Sequence, residues 1–358
     1  FLALGAPTRR GVASASTQEA YDLVGSNFYN PNIGRQGGKW RNARERRSHE
    51  PILQIAHYFT NLEKTLSYRF GKNAYSALNW YNAPDPRADY YRYLPSYFTR
   101  MADPDGQDAE TAARYAELWR TDPNVRYINW DRLYEANRGN LTTVRDASGR
   151  TLAEGRKALY MIEDRHTDQR EFAWASSMNW LPKSWLELTA GINFRHNRTA
   201  NYAEVGDLLG ADFAYDIDKF AERDFGGDAT KSQVDLLHPD RIVHKGDRFS
   251  YDYSSMTDRY QMWANATYHL QRLDAYTGIS YTYTALQREG HQKRGLFPNN
   301  SYGLSDQIRF NDLAAKAGLT YKLNGHHYLQ ANVSYVEQAP TFQNIFISLR
   351  NLINIEIA

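Results

Sequence analysis

Between Glu171 and Arg195 the side chains change character at every second position. Phe172, Trp174, Met178 and Trp180 alternate with Glu171, Ala173, Ala175, Ser177 and Asn179. After Leu181-Pro182-Lys183-Ser184, Leu186, Leu188, Ala190, Ile192 and Phe194 alternate with Glu187, Thr189, Gly191, Asn193 and Arg195. Successive side chains of a strand point to opposite faces, so strict period-two alternation predicts a β-hairpin with one apolar and one polar face. Each arm is about 10 residues long, which is what a tilted strand needs to cross a bilayer. Trp180 and Trp185 flank the turn, where an interfacial aromatic girdle belongs. The polar face, with its Glu, Asn, Thr and Arg, suits a wet lumen better than a dry core. The stretch reads as one hairpin of an outer-membrane β-barrel.

The same pattern returns three more times. Glu50–Thr60 places Leu53, Ile55 and Phe59 on one face, turns at 61–64, and returns with Leu66, Tyr68 and Phe70 opposite Ser67, Arg69 and Gly71. Tyr260, Met262, Ala264, Ala266, Tyr268 and Leu270 form another arm, answered after Gln271-Arg272 by the alternating run from Leu273 to Ala285. Trp263 interrupts that arm as a large aromatic on the polar face. Leu313 to Leu323 and Leu329 to Tyr335 flank Asn324-Gly325, a tight-hairpin signal. About eight full strands are therefore expected within 50–338, joined by long loops at 1–49, 75–165, 199–252 and 287–307. Short turns on one side and long loops on the other is the asymmetry of bacterial barrels. The predicted fold class is all-β: an antiparallel transmembrane β-barrel segment whose long extracellular loops carry short helices.

Composition agrees once this is understood. The 358 residues contain no run of 18 apolar residues, which excludes a transmembrane helix. A mean hydropathy of −0.71 suggests a soluble chain, but half of each barrel strand and all of its loops are polar. The absence of cysteine fits passage through an oxidising periplasm without a staple. A formal charge of +2 argues against a dedicated nucleic-acid binder. FLALGAPTRRGV at the start lacks the basic and apolar regions of a signal peptide.

Within the 75–165 loop, Asp108–Trp119 reads as an amphipathic helix with Ala112, Tyr115, Ala116 and Trp119 on one face, and Asn129 is placed to cap a second helix ending before Gly139. Trp80, Tyr81, Tyr90, Tyr91, Tyr93 and Tyr97 are candidate ligand-binding aromatics, able to stack on sugar rings or pack on an apolar ligand, or else to fold the loop on itself. Arg69, Glu171, Arg195, Arg259 and Lys316 fall on the lumen-facing side of their strands. Asp103, Asp105 and Asp108 around Gly106 resemble the opening of a calcium loop. The twelfth position holds Arg114 rather than a bidentate Glu, however, and a turn with a helix N-cap explains the same residues. No other cofactor is expected. Lys39, Arg41, Arg44, Arg46 and Arg47 form a basic run, either a solvated loop face or a contact for lipopolysaccharide phosphates. No Cys nucleophile, Gly-x-Ser-x-Gly elbow, His-Glu-x-x-His helix or phosphate-binding glycine loop occurs, so no enzyme is expected.

The runs GAPTRRGVASASTQEAYDLVGSNFYNPN (5–32), HEPILQIAHYFT (49–60), YRFGKNAYSALNWYNAPDPRADYYRYLPSYF (68–98) and VSYVEQAPTFQNIFIS (333–348) resemble TonB-dependent outer-membrane receptors of the Bacteroidetes type. The resemblance implies a barrel of about 22 strands closed by an N-terminal plug. It also implies import of a scarce or bulky nutrient, energised through TonB, in contact with outer-membrane lipid and lipopolysaccharide and with a surface lipoprotein subunit as a further partner. No plug, TonB box or terminal aromatic is found, so 1–358 is expected to be an internal piece of the barrel. A passive porin or adhesin barrel, or a soluble carbohydrate-binding β-domain, are the competing expectations.

Overall fold

The computed structural model describes residues 1–101, 108–146, 148–346, 348, 350 and 351. Eight long strands dominate it: β1 (Ile52–Phe59), β2 (Leu62–Trp80), β3 (Tyr160–Lys183), β4 (Leu186–Asp207), β5 (Arg248–His269), β6 (Leu273–Gly290), β7 (Ile308–Lys322) and β8 (Tyr328–Val336). Each pairs antiparallel with the next, in sequence order, within one sheet. Leu2–Leu4 adds to the free side of β1 through the pairs Leu2↔Gln54 to Leu4↔Ile52. Thr8–Gly11 and Glu45–His49 continue the sheet beside the upper part of β2.

The strands outrun their alternating segments. β2 reaches Trp80 and β3 begins at Tyr160, so the connection is 81–159 rather than 75–165. Likewise β4 runs to Asp207 and β5 starts at Arg248. In these outer portions both faces carry polar side chains or lie beneath loops, so the period-two signal fades while ladder bonding continues. In the founding hairpin, β3 includes Leu181, Pro182 and Lys183, with a register shift between Trp180 and Lys183; only Ser184-Trp185 form the turn. Pro182 cannot donate to a ladder, and an irregularity of this kind is where a strand tolerates it. The β7–β8 turn is wider than a two-residue loop. Leu323 N–H donates to His327 O at 3.0 Å, and the Asn324 side chain accepts from the backbone of His326 and His327.

The apolar face is uncovered. Leu53, Met178, Ile192, Met262, Ile279, Leu319 and Val333 are all more than 40% exposed. Two rows of aromatics bound this band. Near the short turns stand Phe59, Trp180 and Trp185; at the other limit Phe172, Phe194, Tyr260 and Tyr283 form a ladder across four adjacent strands, with ring centroids 6.1, 4.8 and 6.1 Å apart. From Phe172 to Trp180 is roughly 26 Å along a strand at about 3.3 Å per residue. With the tilt of a barrel strand the height is roughly 20 Å, close to the apolar band of an outer-membrane barrel.

On the opposite face, polar side chains bond from strand to strand: Asn179 to Glu187 at 2.8 Å, Asn193 to Gln261 at 3.1 Å, Lys322 to Asp274 at 2.6 Å. Trp263 is not an error in this pattern. Its indole covers Gly191, its cross-strand partner, so closely that a Cβ there would stand 2.6 Å from the ring. Tyr276 covers Gly318 in the same way.

The buried residues gather at the long-loop end, where 81–159, 208–247, 291–307 and the excursion before β1 fold together. Helices α1 (Gln18–Val24), α2 (Ala109–Thr121), α3 (Pro123–Arg126) and α4 (Trp130–Gly139) belong to this cap. Trp119 on α2 is fully buried against Tyr29, Ala20 and Leu94, and Asn129 caps α4 as its position predicts. The cap hangs on Asn137, which is fully buried. Its amide donates to the carbonyls of Tyr160, Leu208 and Leu209 at 2.7, 2.8 and 3.1 Å, and its oxygen accepts from Leu159 and Tyr160. One side chain thus closes the α4–β3–β4 junction by satisfying buried backbone groups. Asn137→Ala leaves several of them unpaired, with an expected cost of roughly 2–4 kcal/mol to cap packing. Limited proteolysis should cut within 81–159 faster while the sheet survives; unchanged cleavage would show that Asn137 is not the anchor.

Candidate functional site

Two regions carry the chemistry: the polar face of the sheet and the folded cap above it. Four of the five residues expected to face the lumen meet in one belt on the polar face of the sheet. Arg69 pairs in register with Glu171, and Arg195 with Arg259. Arg195 approaches Glu171 at 3.7 Å, and Asn197 donates to the same carboxylate. The belt therefore holds three guanidinium groups and one carboxylate, a cationic girdle across β2 to β5. Lys316 stands apart, in register with Gly278 nearer the short turns.

The six candidate aromatics divide between two places. Trp80 and Tyr81 lie where β2 enters the cap. Lys219, at the start of α5 (Lys219–Asp224), donates to Trp80 O at 2.9 Å and lies 5.2 Å from the Trp80 ring. Tyr81 donates its hydroxyl to Glu222 of the same helix, and Lys157 sits 4.8 Å above its ring. Burial and the Glu222 carboxylate push the Tyr81 hydroxyl up, so it stays a donor. Tyr90, Tyr91, Tyr93 and Tyr97 instead pack edge to face on one another. Centroids are 4.7 Å for Tyr90–Tyr91, 5.6 Å for Tyr90–Tyr93 and 5.7 Å for Tyr91–Tyr97, and the chain of rings continues through Phe98 to Tyr115.

Asp108 is the N-cap of α2, accepting from Glu110 N and Thr111 N at 2.9 and 3.1 Å. Asp103 and Asp105 lie outside the described residues. Three residues of the basic run make tethers, while Lys39 and Arg46 are exposed: Arg41 binds Asp207 at 2.7 Å and lies over the Trp130 ring at 4.3 Å, Arg44 bonds Ser14, and Arg47 pairs with Asp164. These arginines tie the first excursion to the sheet.

Loop 208–247 is held by buried charges that no motif announced. Asp216, with a side chain 1% exposed, accepts from Ser250 N at 2.9 Å and from Arg241 at 3.2 Å. Arg294 reaches from the last loop to Asp218 and to Ser250 O. Asp235 accepts from Leu237 N and Lys293 N and pairs with His238. Apart from the local Asp235 contacts with Leu237 and His238, this network is made by residues 25 to 76 positions apart, which spacing does not reveal. Burial outweighs the two arginines and raises the Asp216 carboxyl to about 6. Nearby, a hydrogen bond with Asp252 raises His291 above its ordinary value.

No protein-family model matches the chain, and no curated protein matches it. Among solved structures it is similar to the ferric-catecholate import receptor Fiu from K12 E. coli in its closed form, with 12% identity and a TM-score of 0.39, covering 93% of this chain and 40% of that one. It is also similar to the outer membrane transporter YddB from Escherichia coli, with 10% identity and a TM-score of 0.33, covering 93% and 38%. The chain thus spans about two fifths of their length. Likeness at this level carries no argument about ligand or mechanism.

Two groups set the pH response of the cap. Both Asp216 and His291 hold a proton more readily folded than unfolded. Each therefore favours the folded cap at low pH and loses that contribution as pH rises through its folded value, about 6 for Asp216. Lowering the pH from about 8 to about 5 is expected to slow proteolysis within 208–247, once rates are normalised to an unstructured peptide. Asp216→Asn should flatten the response; a cap that loosens on acidification would contradict the assignment.

Proposed function

We propose that this chain is a stretch of barrel wall and outer cap from a TonB-dependent outer-membrane active transporter of the Bacteroidetes type. Its outward face meets lipid, and its polar face lines the path of an imported nutrient. One observation supports the reading above the rest: a continuous apolar face, bounded by two aromatic rows and left bare, backs onto a cross-bonded polar face. A soluble β-domain would bury such a face against a second layer, yet Met262 stands 57% and Ile279 55% exposed. The runs at 5–32, 49–60, 68–98 and 333–348 support the transporter over a passive porin or adhesin. So does the packed cap, since an open pore has little use for buried tethers over its mouth. In this reading TonB acts through a plug domain, lipopolysaccharide surrounds the upper strands, and a surface lipoprotein joins the loops. No enzymatic role and no metal cofactor are proposed.

The test uses the full-length protein: membrane fractionation, with gel mobility compared before and after boiling. Outer-membrane location with a heat-dependent shift is expected. Met262→Arg, on the lipid face, should cost about 2–4 kcal/mol and deplete the folded band. Asn265→Arg, on the polar face of the same strand, should leave it. A soluble protein, or equal tolerance of both substitutions, would overturn the proposal.

A further inference from the structure

Inside the cap, between α2, α3, α4 and the segment 84–93, lies a cavity of ≈ 290 Å³. Its polar lining is unbalanced. Arg87, Arg114 and Arg132 face it, and among the described residues its single carboxylate is Asp85. Asp85 is already spent: both its oxygens are held by the Arg87 side chain, and the Arg87 backbone N–H also donates to it at 2.9 Å. The guanidinium groups of Arg114 and Arg132 make no hydrogen bond or ion pair among the described residues. Both residues are exposed, so within that set two guanidinium-bearing side chains line the solvent-open side of the cavity without an acidic partner. The remaining wall is apolar or aromatic, with Leu118, Val125, Leu133, Tyr115 and Tyr127. Tyr93 and Tyr160 close one side and are held in place by their hydroxyls, which donate to Asp85 O and Pro84 O, each at 3.0 Å.

We infer that this cavity is a binding site for a small ring-bearing carboxylate. Guanidinium forks match a carboxylate in a two-point, coplanar geometry that a point charge does not supply. The volume suits a single ring, and apolar and tyrosyl walls around a few convergent donors are the ordinary make-up of a small-molecule pocket. A cation has no free acceptor charge to meet there, and a neutral ring would make no charge-assisted bond with either arginine. Either a sugar acid or an aromatic acid presents this chemistry. The inference depends on the transporter reading only for the side of the membrane that the pocket faces.

The experiment is calorimetric titration of the purified full-length protein with glucuronate and benzoate, each beside its neutral counterpart, glucose and benzyl alcohol. At least one acid is expected to bind, about tenfold or more tighter than its neutral partner. Glucuronate alone would assign a sugar acid and benzoate alone an aromatic acid. Arg114→Gln and Arg132→Gln should each weaken that binding about tenfold. Arg114→Lys and Arg132→Lys should fall in between, and Arg145→Gln, outside the pocket, should change nothing. The heat-dependent mobility shift confirms that each variant is folded. No binding of either acid at millimolar concentration, equal binding of the neutral compounds, or binding unaffected by both Gln variants would overturn the site. An outer-membrane protein that binds neither acid would lose the pocket and keep the transporter reading; a soluble protein that binds one would do the reverse.

Discussion

Backbone pairing is the constraint on which everything else here depends. Among the described residues, the strands between β1 and β8 spend their N–H and C=O groups on neighbours at both sides, while β8 pairs with β7 alone and the outer side of β1 is paired only at 52–54. A sheet satisfied in this way can present bare hydrocarbon to a medium that offers no hydrogen bonds. The Phe172–Phe194–Tyr260–Tyr283 ladder and the residues around Trp180 and Trp185 bound that bare hydrocarbon band. The polar face is the complement. Asn, Thr, Gln and Glu side chains bond laterally, and the glycines opposite Trp263 and Tyr276 leave room for rings to lie flat on the strand. Each face is set by what it must meet.

The cap obeys a different rule. Above the apolar band the strands lose their alternation, and the chain builds a small globular core from loops. Trp119 and Trp130 are fully buried there, as are Asn137 and the Asp216 side chain. Buried polar groups are costly unless satisfied. Two of them carry several bonds, five for Asn137 and contacts with Ser250 N and Arg241 for Asp216, whereas Trp130 Nε1 has none among the described residues. Such residues act as rivets between segments remote in sequence. Around the α2–α4 cavity Arg114 and Arg132 are exposed, and among the described residues they meet no carboxylate.

Local pattern made the hairpins legible. Leu66-Ser67-Tyr68-Arg69 or Ile192-Asn193-Phe194-Arg195 can be read off directly, because period two is a property of the strand itself. The helices were legible for the same reason: Asp108 and Asn129 cap locally, and the Trp119 face repeats at helical spacing. Reach was harder to read. β2 continues through Tyr75 and Asn79 to Trp80, and β3 begins at Tyr160, where alternating burial no longer maps onto alternating polarity. Within the basic run, Lys39 and Arg46 are exposed as on a solvated face, but the pairing of Arg41 with Asp207 and of Arg47 with Asp164 was not legible, since those carboxylates are remote in the chain. The six candidate aromatics share one segment, yet they separate into the Trp80–Tyr81 corner and the Tyr90–Tyr97 cluster.

By itself, then, the sequence determined the all-β class, the four hairpins, which face of each strand is apolar and where the two main cap helices begin. These follow from nearest-neighbour geometry. The tertiary structure alone decided how far the strands extend, which arginines are neutralised, where Trp263 finds its partner in Gly191, and that Arg114 and Arg132 line one cavity. Those outcomes depend on contacts across tens to hundreds of residues, and no local periodicity encodes them.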